Sequence, residues 1–262
     1  MQELSLFNRM KNYESIVDYK LMPKQPVIIR LDGKAFHTYT KGLDKPFDMD
    51  LSKAFEFVCM ELKEQISGVK FIYTQSDEIS LLLTDWDKIN TQNWLQYRIQ
   101  KLTSLVASLA TSLFNKYIES IVDKYYKLYN SRDIDYDDEQ YYLEKYKLWK
   151  SKKYKANFDA RAFNLPLNEV CNYFIWRQQD AIRNSIQSLG QSLFSHNELI
   201  NKSCEDVILL SKEKFSIDWS TLSTRQQRGF CLYKDIEVSE WIIDNEIPLF
   251  TSNRTYIDKF LL

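Results

Sequence analysis

Val27-Ile28-Ile29-Arg30-Leu31-Asp32-Gly33-Lys34-Ala35-Phe36-His37 and Phe71-Ile72-Tyr73-Thr74-Gln75-Ser76-Asp77-Glu78-Ile79-Ser80-Leu81-Leu82-Leu83 decide the architecture of this chain. The first run reads as an apolar strand over residues 27 to 32 that delivers an Asp-Gly pair into a short polar turn. The second is two β-rich runs meeting at Ser76-Asp77-Glu78, a hairpin with acids at its tip. Between them Asp48 or Asp50 can cap a helix whose apolar positions Leu51, Phe55, Val58 and Leu62 recur at three and four residues, with Gly68 as its stop. Strand, helix and hairpin in that order make a βαββ unit, an antiparallel sheet with helices on one face, and place the chain in the α+β class.

A carboxylate at a strand end is costly to bury, so Asp32 and Asp77 in adjacent strands either share a cation or stand in solvent. A shared cation suits Mg²⁺, which takes one or two protein carboxylates and leaves its remaining positions to substrate phosphates and water. Gly33 lacks a Cβ and lets the backbone turn sharply and approach a ligand. In the other reading Asp-Gly is an ordinary turn and Ser-Asp-Glu a solvated tip. Each turn alone favours solvent. Two of them, each ending an apolar strand and joined by one helix, bring the cation level with it.

Outward from this unit, residues 1 to 25 hold one short helix closed by Pro23 and Pro26, and Gly42 and Pro46 mark a loop. A long helix is expected from near Thr91, with Leu95, Ile99, Leu102, Val106, Leu109 and Leu113 as its core stripe. Arg98 and Lys101 share a neighbouring face, which spacing alone makes a solvated one. Asp133, Asp135, Asp137, Asp138 and Glu139 precede Lys145, Lys147, Lys150, Lys152, Lys153 and Lys155, so a charged helical insert is expected at about residues 117–155, as two antiparallel helices with an acidic loop. The lysines alternate with Tyr146, Trp149 and Tyr154, which fits an RNA-facing surface or a solvated helix with aromatic packing. Phe158 to Leu165 reads as a strand, and Asn168 opens a helix to about Leu193 that carries Trp176 and Arg177, by pattern alone a helix surface plus a buried Trp. Ser203-Cys204-Glu205-Asp206 resembles a capping box, Arg228 to Lys234 a late strand, and the tail from Glu237 an irregular apolar closure. With no repeat or linker, residues 1–262 read as a single domain.

Composition narrows the function classes. No apolar run is long enough for a bilayer and no signal pattern opens the chain, so a cytoplasmic protein with no membrane partner is expected. Cys59, Cys171, Cys204 and Cys231 are too scattered for a zinc site or a disulfide framework, and the two histidines, His37 and His196, exclude a histidine-rich metal site. A net charge of −1 means that any nucleic acid must be met by a local patch.

Arg30 through His37, then Lys45-Pro46, then Gln75-Ser76-Asp77-Glu78 resemble the tRNA-histidine guanylyltransferase family and its relatives, the tRNA-guanylyltransferase-like 3′–5′ polymerases. Arg98 and Lys101 before Val106-Ala107-Ser108, Phe158-Asp159-Ala160-Arg161 leading to Pro166, and Trp176-Arg177-Gln178-Gln179-Asp180 ending in Asn184 keep the order, so the similarity covers about residues 5 to 240. The resemblance implies a polymerase-like palm on a ferredoxin-like core, an assembly that is often a tetramer, and addition of nucleotides to the 5′ end of tRNA. Its cofactor would be Mg²⁺, two ions per site, and its small substrates GTP, ATP and other nucleoside triphosphates. Carried over residue by residue, it makes Asp32 and Asp77 catalytic metal ligands, the Gly33 carbonyl a further ligand, and Glu78 a residue that tunes the site. Asp32, Gly33, Lys34, Ala35, Phe36, His37, Ser76 and Asp77 would line the nucleotide, and Lys45, Arg98 and Lys101 would balance phosphate charge. RNA would meet Lys150, Lys152, Lys153, Arg177, Arg183 and Asn184.

The resemblance has one informative departure. Members dedicated to tRNA-His carry His-Ile-Asn-Asn where this chain has Ile182-Arg183-Asn184-Ser185. That places it with the like-proteins, which resemble template-directed 5′-end repair polymerases more than strict guanylyltransferases. A strict tRNA-His guanylyltransferase is the nearest alternative. From other classes, a nucleotidyl cyclase-like palm would need no RNA, and a non-catalytic RNA-binding module is opposed by the intact Asp32 and Asp77.

Overall fold

The computed structural model describes residues 5–131, 135–235 and 240–261. In chain order the elements are α1 (Leu6–Ser15), β1 (Val27–Gly33), α2 (Phe36–Tyr39), α3 (Met49–Gln65), β2 (Val69–Gln75), β3 (Glu78–Leu83), α4 (Ile99–Tyr129) and α5 (Tyr136–Lys152). There follow β4 (Phe158–Asn164), α6 (Val170–Leu193), α7 (His196–Leu199), α8 (Cys204–Phe215), α9 (Thr224–Arg228), β5 (Phe230–Lys234), β6 (Trp241–Asp244) and α10 (Thr255–Asp258). The sheet order is β4-β1-β3-β2-β5-β6, with every neighbouring pair antiparallel. Its first four strands, with α3 and α4 as crossovers, form the βαββαβ unit of a ferredoxin-like sheet.

Alternation along the strands separates two cores. Ile29, Leu31, Ile72, Ile79 and Leu81 point to the face covered by Phe55, Val58 and Leu62 of α3 and by Leu102, Val106, Phe114 and Ile118 of α4. Ile28, Phe71, Tyr73 and Leu82 point the other way, under Val170 and Phe174 of α6 and under Ile247, Phe250, Ile257 and Phe260 of the C-terminal segment. The sheet is thus covered on both faces. Burying one such side chain contributes roughly 1.5–3 kcal/mol.

Several expectations change here. Asp48 is the α3 cap, its carboxylate accepting from the Leu51 N–H, while Gly68 opens β2 beyond the helix end at Ile66. The long helix begins at Ile99, because Leu95 and Gln96 in the preceding turn have φ of 53° and 56°, a left-handed conformation that a right-handed helix cannot include. Residues 117 to 129 are the distal part of α4, and α5 packs back on that helix. Asp135 caps α5, acids fill its first turn and lysines its last, so this segregation of charge complements one helix dipole. Asp133 and Glu237 lie outside the described residues. Trp149 is wholly buried core. The tail includes an ordered edge strand, β6. The capping box at Ser203 and Asp206 forms at the start of α8. The four cysteines are free thiols, and among the described residues no helix is long and apolar enough to cross a membrane.

Candidate active site

Along the second face of the sheet, side chains change from apolar to cationic to anionic toward one end. Cross-strand register aligns Phe163, Ile28, Leu82 and Phe71 in one row, then Arg161, Arg30, Ser80 and Tyr73, then Asp159, Asp32, Glu78 and Gln75. Directly opposed residues point to the same face. Asp32 therefore has a carboxylate-bearing residue opposite it on each neighbouring strand. The last row runs into the β2–β3 turn at Ser76 and Asp77, and the Gly33 N–H donates to the Asp77 carbonyl at 3.0 Å, tying the two acidic turns together.

Both turns hold a non-glycine residue in the left-handed region, Ala35 and Ser76, each with φ of 56°. Such conformations cost free energy and persist only where the surroundings impose them. Gly33 is needed for a different reason: a Cβ there would sit 2.3 Å from the Phe36 ring. That ring is 4% exposed and packs with Tyr39, Phe55, Phe114 and Phe158, so Phe36 faces the core and has only backbone to offer a nucleotide.

Burial raises the Asp77 carboxyl above its ordinary range, opposed by the Ser76 hydroxyl and reinforced by the Asp32 charge. Burial also raises Glu78, with Arg177 and Arg30 pulling it back. Among the described residues neither Asp32 nor Asp77 is in an ion pair. Glu78 is paired: its Oε2 accepts from Arg177 at 2.8 Å, and Arg177 reaches Asp180 at 2.9 Å. Asp180 in turn holds Arg183 and accepts from Asn184 at 3.4 Å. α6 thus lays a charged strip over the acidic row. The expected exposures within this helix are exchanged, since Arg177 is 8% exposed and Trp176 is 53% exposed, with the guanidinium 3.9 Å from the indole centre.

Two cavities meet at Gln75 and Ser76. The smaller, about 220 Å³, is bordered by Arg30, Asp32, Asp77, Glu78, Arg177 and Asn184. The larger, about 380 Å³, is bordered by His37, Lys41, Asp44, Lys45, Arg225 and Gln226, among others. Its volume suits a small ligand. Lys34 and Ala35 lie in the turn between β1 and α2. Arg98 and Lys101 border neither cavity. Arg98 caps α4 and grips Asp18 with two bonds of 2.5 and 2.6 Å. Lys152 is not a surface cation for RNA: it is buried and donates to the Tyr39 and Lys41 carbonyls. Lys150 and Arg183 are exposed, and Lys153 pairs with Glu119.

Residues that sequence reasoning missed include Arg30, Asp159 and Asp180. Period-2 alternation carried a signal for the first two, since Arg30 shares a strand face with Asp32, and Asp159 with Arg161. For a cation the site offers oxygen, from the Asp32 and Asp77 carboxylates that border the smaller cavity. Among the described residues no three His, Cys, Asp or Glu side chains form a cage. That composition fits Mg²⁺, whose remaining positions belong to phosphate and water.

Residues 7–166, from α1 to just past β4, match the family model described as tRNAHis guanylyltransferase (Thg1). The chain belongs to this family. It is a Thg1-type nucleotidyltransferase, and its sheet is the palm-like sheet of these enzymes. A bacterial Thg1-like protein in complex with ATP superposes with a TM-score of 0.83 at 40% identity, over 98% of this chain and 99% of that one. A bacterial Thg1-like protein in complex with GTP gives 0.72 at 38% identity with the same coverage. An uncharacterised protein of Acanthamoeba polyphaga mimivirus is 27% identical over 97% of this chain and 87% of its own length. The tRNA(His) guanylyltransferase 1 of Arabidopsis thaliana is 23% identical over 88% of this chain, which spans 37% of that protein.

Proposed function

We propose that this Thg1-family enzyme adds nucleotides in the 3′–5′ direction to the 5′ end of tRNA, with the opposing base of the acceptor strand as template, in the cytoplasm and as an oligomer. One observation carries the reading: the paired turns bearing Asp32 and Asp77 stand where the two cavities meet, the larger of nucleotide dimensions. Asp32, Asp77 and the Gly33 carbonyl would hold Mg²⁺, two ions in the scheme of the family. When bound, these supply positive charge to the triphosphate and acidify the attacking hydroxyl.

The chain's own residues account for the remainder. His37 and Lys45 border the larger cavity, where a cation at Lys45 meets phosphate, while Lys34 stands on the turn beside it. Glu78 holds Arg177, which keeps α6 seated over the acidic row. Arg183 and Asn184 lie on the exposed side of that helix, open to RNA. ATP and GTP in the solved relatives support the nucleotide class. Incubating the protein with Mg²⁺, labelled nucleotides and a tRNA lacking its first 5′ nucleotide tests the reading. Label should enter the RNA. Cyclisation of the nucleotide without RNA would overturn it in favour of a cyclase.

A further inference from the structure

One side of α5 touches the wall of the larger cavity at three points. The buried Lys152 ammonium donates to the Tyr39 carbonyl and, at 2.8 Å, to the Lys41 carbonyl. Lys145 pairs with Asp44 at 2.6 Å. Between them, a Leu148 methyl lies 3.1 Å from where a Cβ on Gly42 would stand. Positions 145, 148 and 152 are spaced by three and four, so they form one stripe of the helix.

The gripped segment needs this support. Thr40, Lys41, Gly42, Asp44 and Lys45 all border the cavity. The main-chain N–H bonds of the segment are all local: Tyr39, Thr40, Lys41 and Leu43 donate to the Ala35, Phe36, Thr38 and Thr40 carbonyls, and Asp44 donates to the Asp48 carboxylate. A buried ammonium without a carboxylate partner is costly, and burial lowers the Lys152 pKa. Its two carbonyl bonds join α5 to the cavity wall and to nothing else.

We infer that Lys145, Leu148 and Lys152 are positioning residues: α5 is a brace that fixes the 39–45 segment for the nucleotide, and this face of the insert serves the cavity and not RNA. The inference rests on the nucleotide reading of the larger cavity. Lys152→Met keeps most of the side-chain volume and removes a buried charge that has no carboxylate partner among the described residues. It should therefore fold, yet free two carbonyls to seek water.

The test compares wild type, Lys152→Met, Lys152→Arg and Lys145→Met. Nucleotide affinity is measured by equilibrium dialysis with labelled ATP and GTP, RNA affinity by filter binding, and amide hydrogen exchange over residues 39–45 by mass spectrometry. For Lys152→Met we expect nucleotide binding weakened about tenfold, with the kinetic effect in KM more than kcat, RNA affinity within about twofold and faster exchange in 39–45. Lys145→Met, on a pair whose aspartate is largely exposed, should show a smaller change of the same kind and decides the matter should Lys152→Met not fold; Lys152→Arg should restore part of the affinity. Unchanged nucleotide affinity and exchange in the folded Met variants overturns the brace. A wild-type protein that binds neither ATP nor GTP overturns the nucleotide reading, and the inference with it, whatever the exchange shows.

Discussion

Asp77 carries opposed demands at the scale of one residue. Its folded-state pKa is raised, so the folded chain holds the proton more tightly than the unfolded one, whose value is about 3.9. Stability from this group is complete below the unfolded value and is lost as pH rises through the folded one. At neutral pH and without Mg²⁺, Asp77→Asn should therefore melt higher than wild type while losing nucleotide transfer. Mg²⁺ should raise the wild-type melting temperature and leave the variant unmoved. A variant that melts lower, or still transfers, would remove Asp77 from the proposed ligand set. Lys45 and Arg98 should separate as well. Lys45→Ala should raise KM for nucleotide, because Lys45 borders the cavity. Arg98→Ala breaks the pair with Asp18, so its first effect should be on the order of residues 15 to 21, read by hydrogen exchange.

Among the elements, α6 matters most to the acidic row. Arg177 is buried against Glu78 and Asp180, and removing one partner of such a pair costs about 3–5 kcal/mol when burial is complete. Glu78 and Asp180 keep 23% and 28% exposure, so Arg177→Met should cost toward the lower end, measurable by urea unfolding. Elements were legible in the sequence where period and punctuation agreed. β1 and the hairpin follow alternation and turn chemistry, while the α3 cap, narrowed in the sequence to Asp48 or Asp50, and the α8 box at Ser203 pair a pattern with a local hydrogen bond. The start of α4 was hidden because Leu95 and Gln96 turn left-handed without a glycine to announce it. The orientation of α6 was hidden because Trp176 faces out and Arg177 in, an inversion that only the partners on β3 explain. In α5, lysines that suggest a solvated or RNA-facing side are spent in part on carbonyls inside the molecule.

For the whole molecule the central issue is how a base is chosen. The formal net charge is −1, so RNA affinity cannot come from bulk electrostatics. Protein contacts that position an RNA backbone carry little sequence information, whereas pairing with the opposite strand does. Several tRNAs, each lacking the first 5′ nucleotide and carrying every base in turn at the opposing position, should therefore accept the complementary nucleotide in each case. Guanine incorporation regardless of that base, or activity confined to tRNA-His, would make this chain a dedicated guanylyltransferase.

The row that holds Asp159, Asp32 and Glu78 together is an alignment of three separate strands, with a side-chain repeat of two. Slipping β1 by one residue against either neighbour would send Asp32 into the greasy interior and lift Leu31 into its place. With Asp32 as a proposed metal ligand, a misaligned molecule would have no partial activity. On the proposed ligand set, catalytic competence would report the correctness of folding: each copy would be either in register and able to work, or silent, and a preparation's specific activity would count the molecules that aligned.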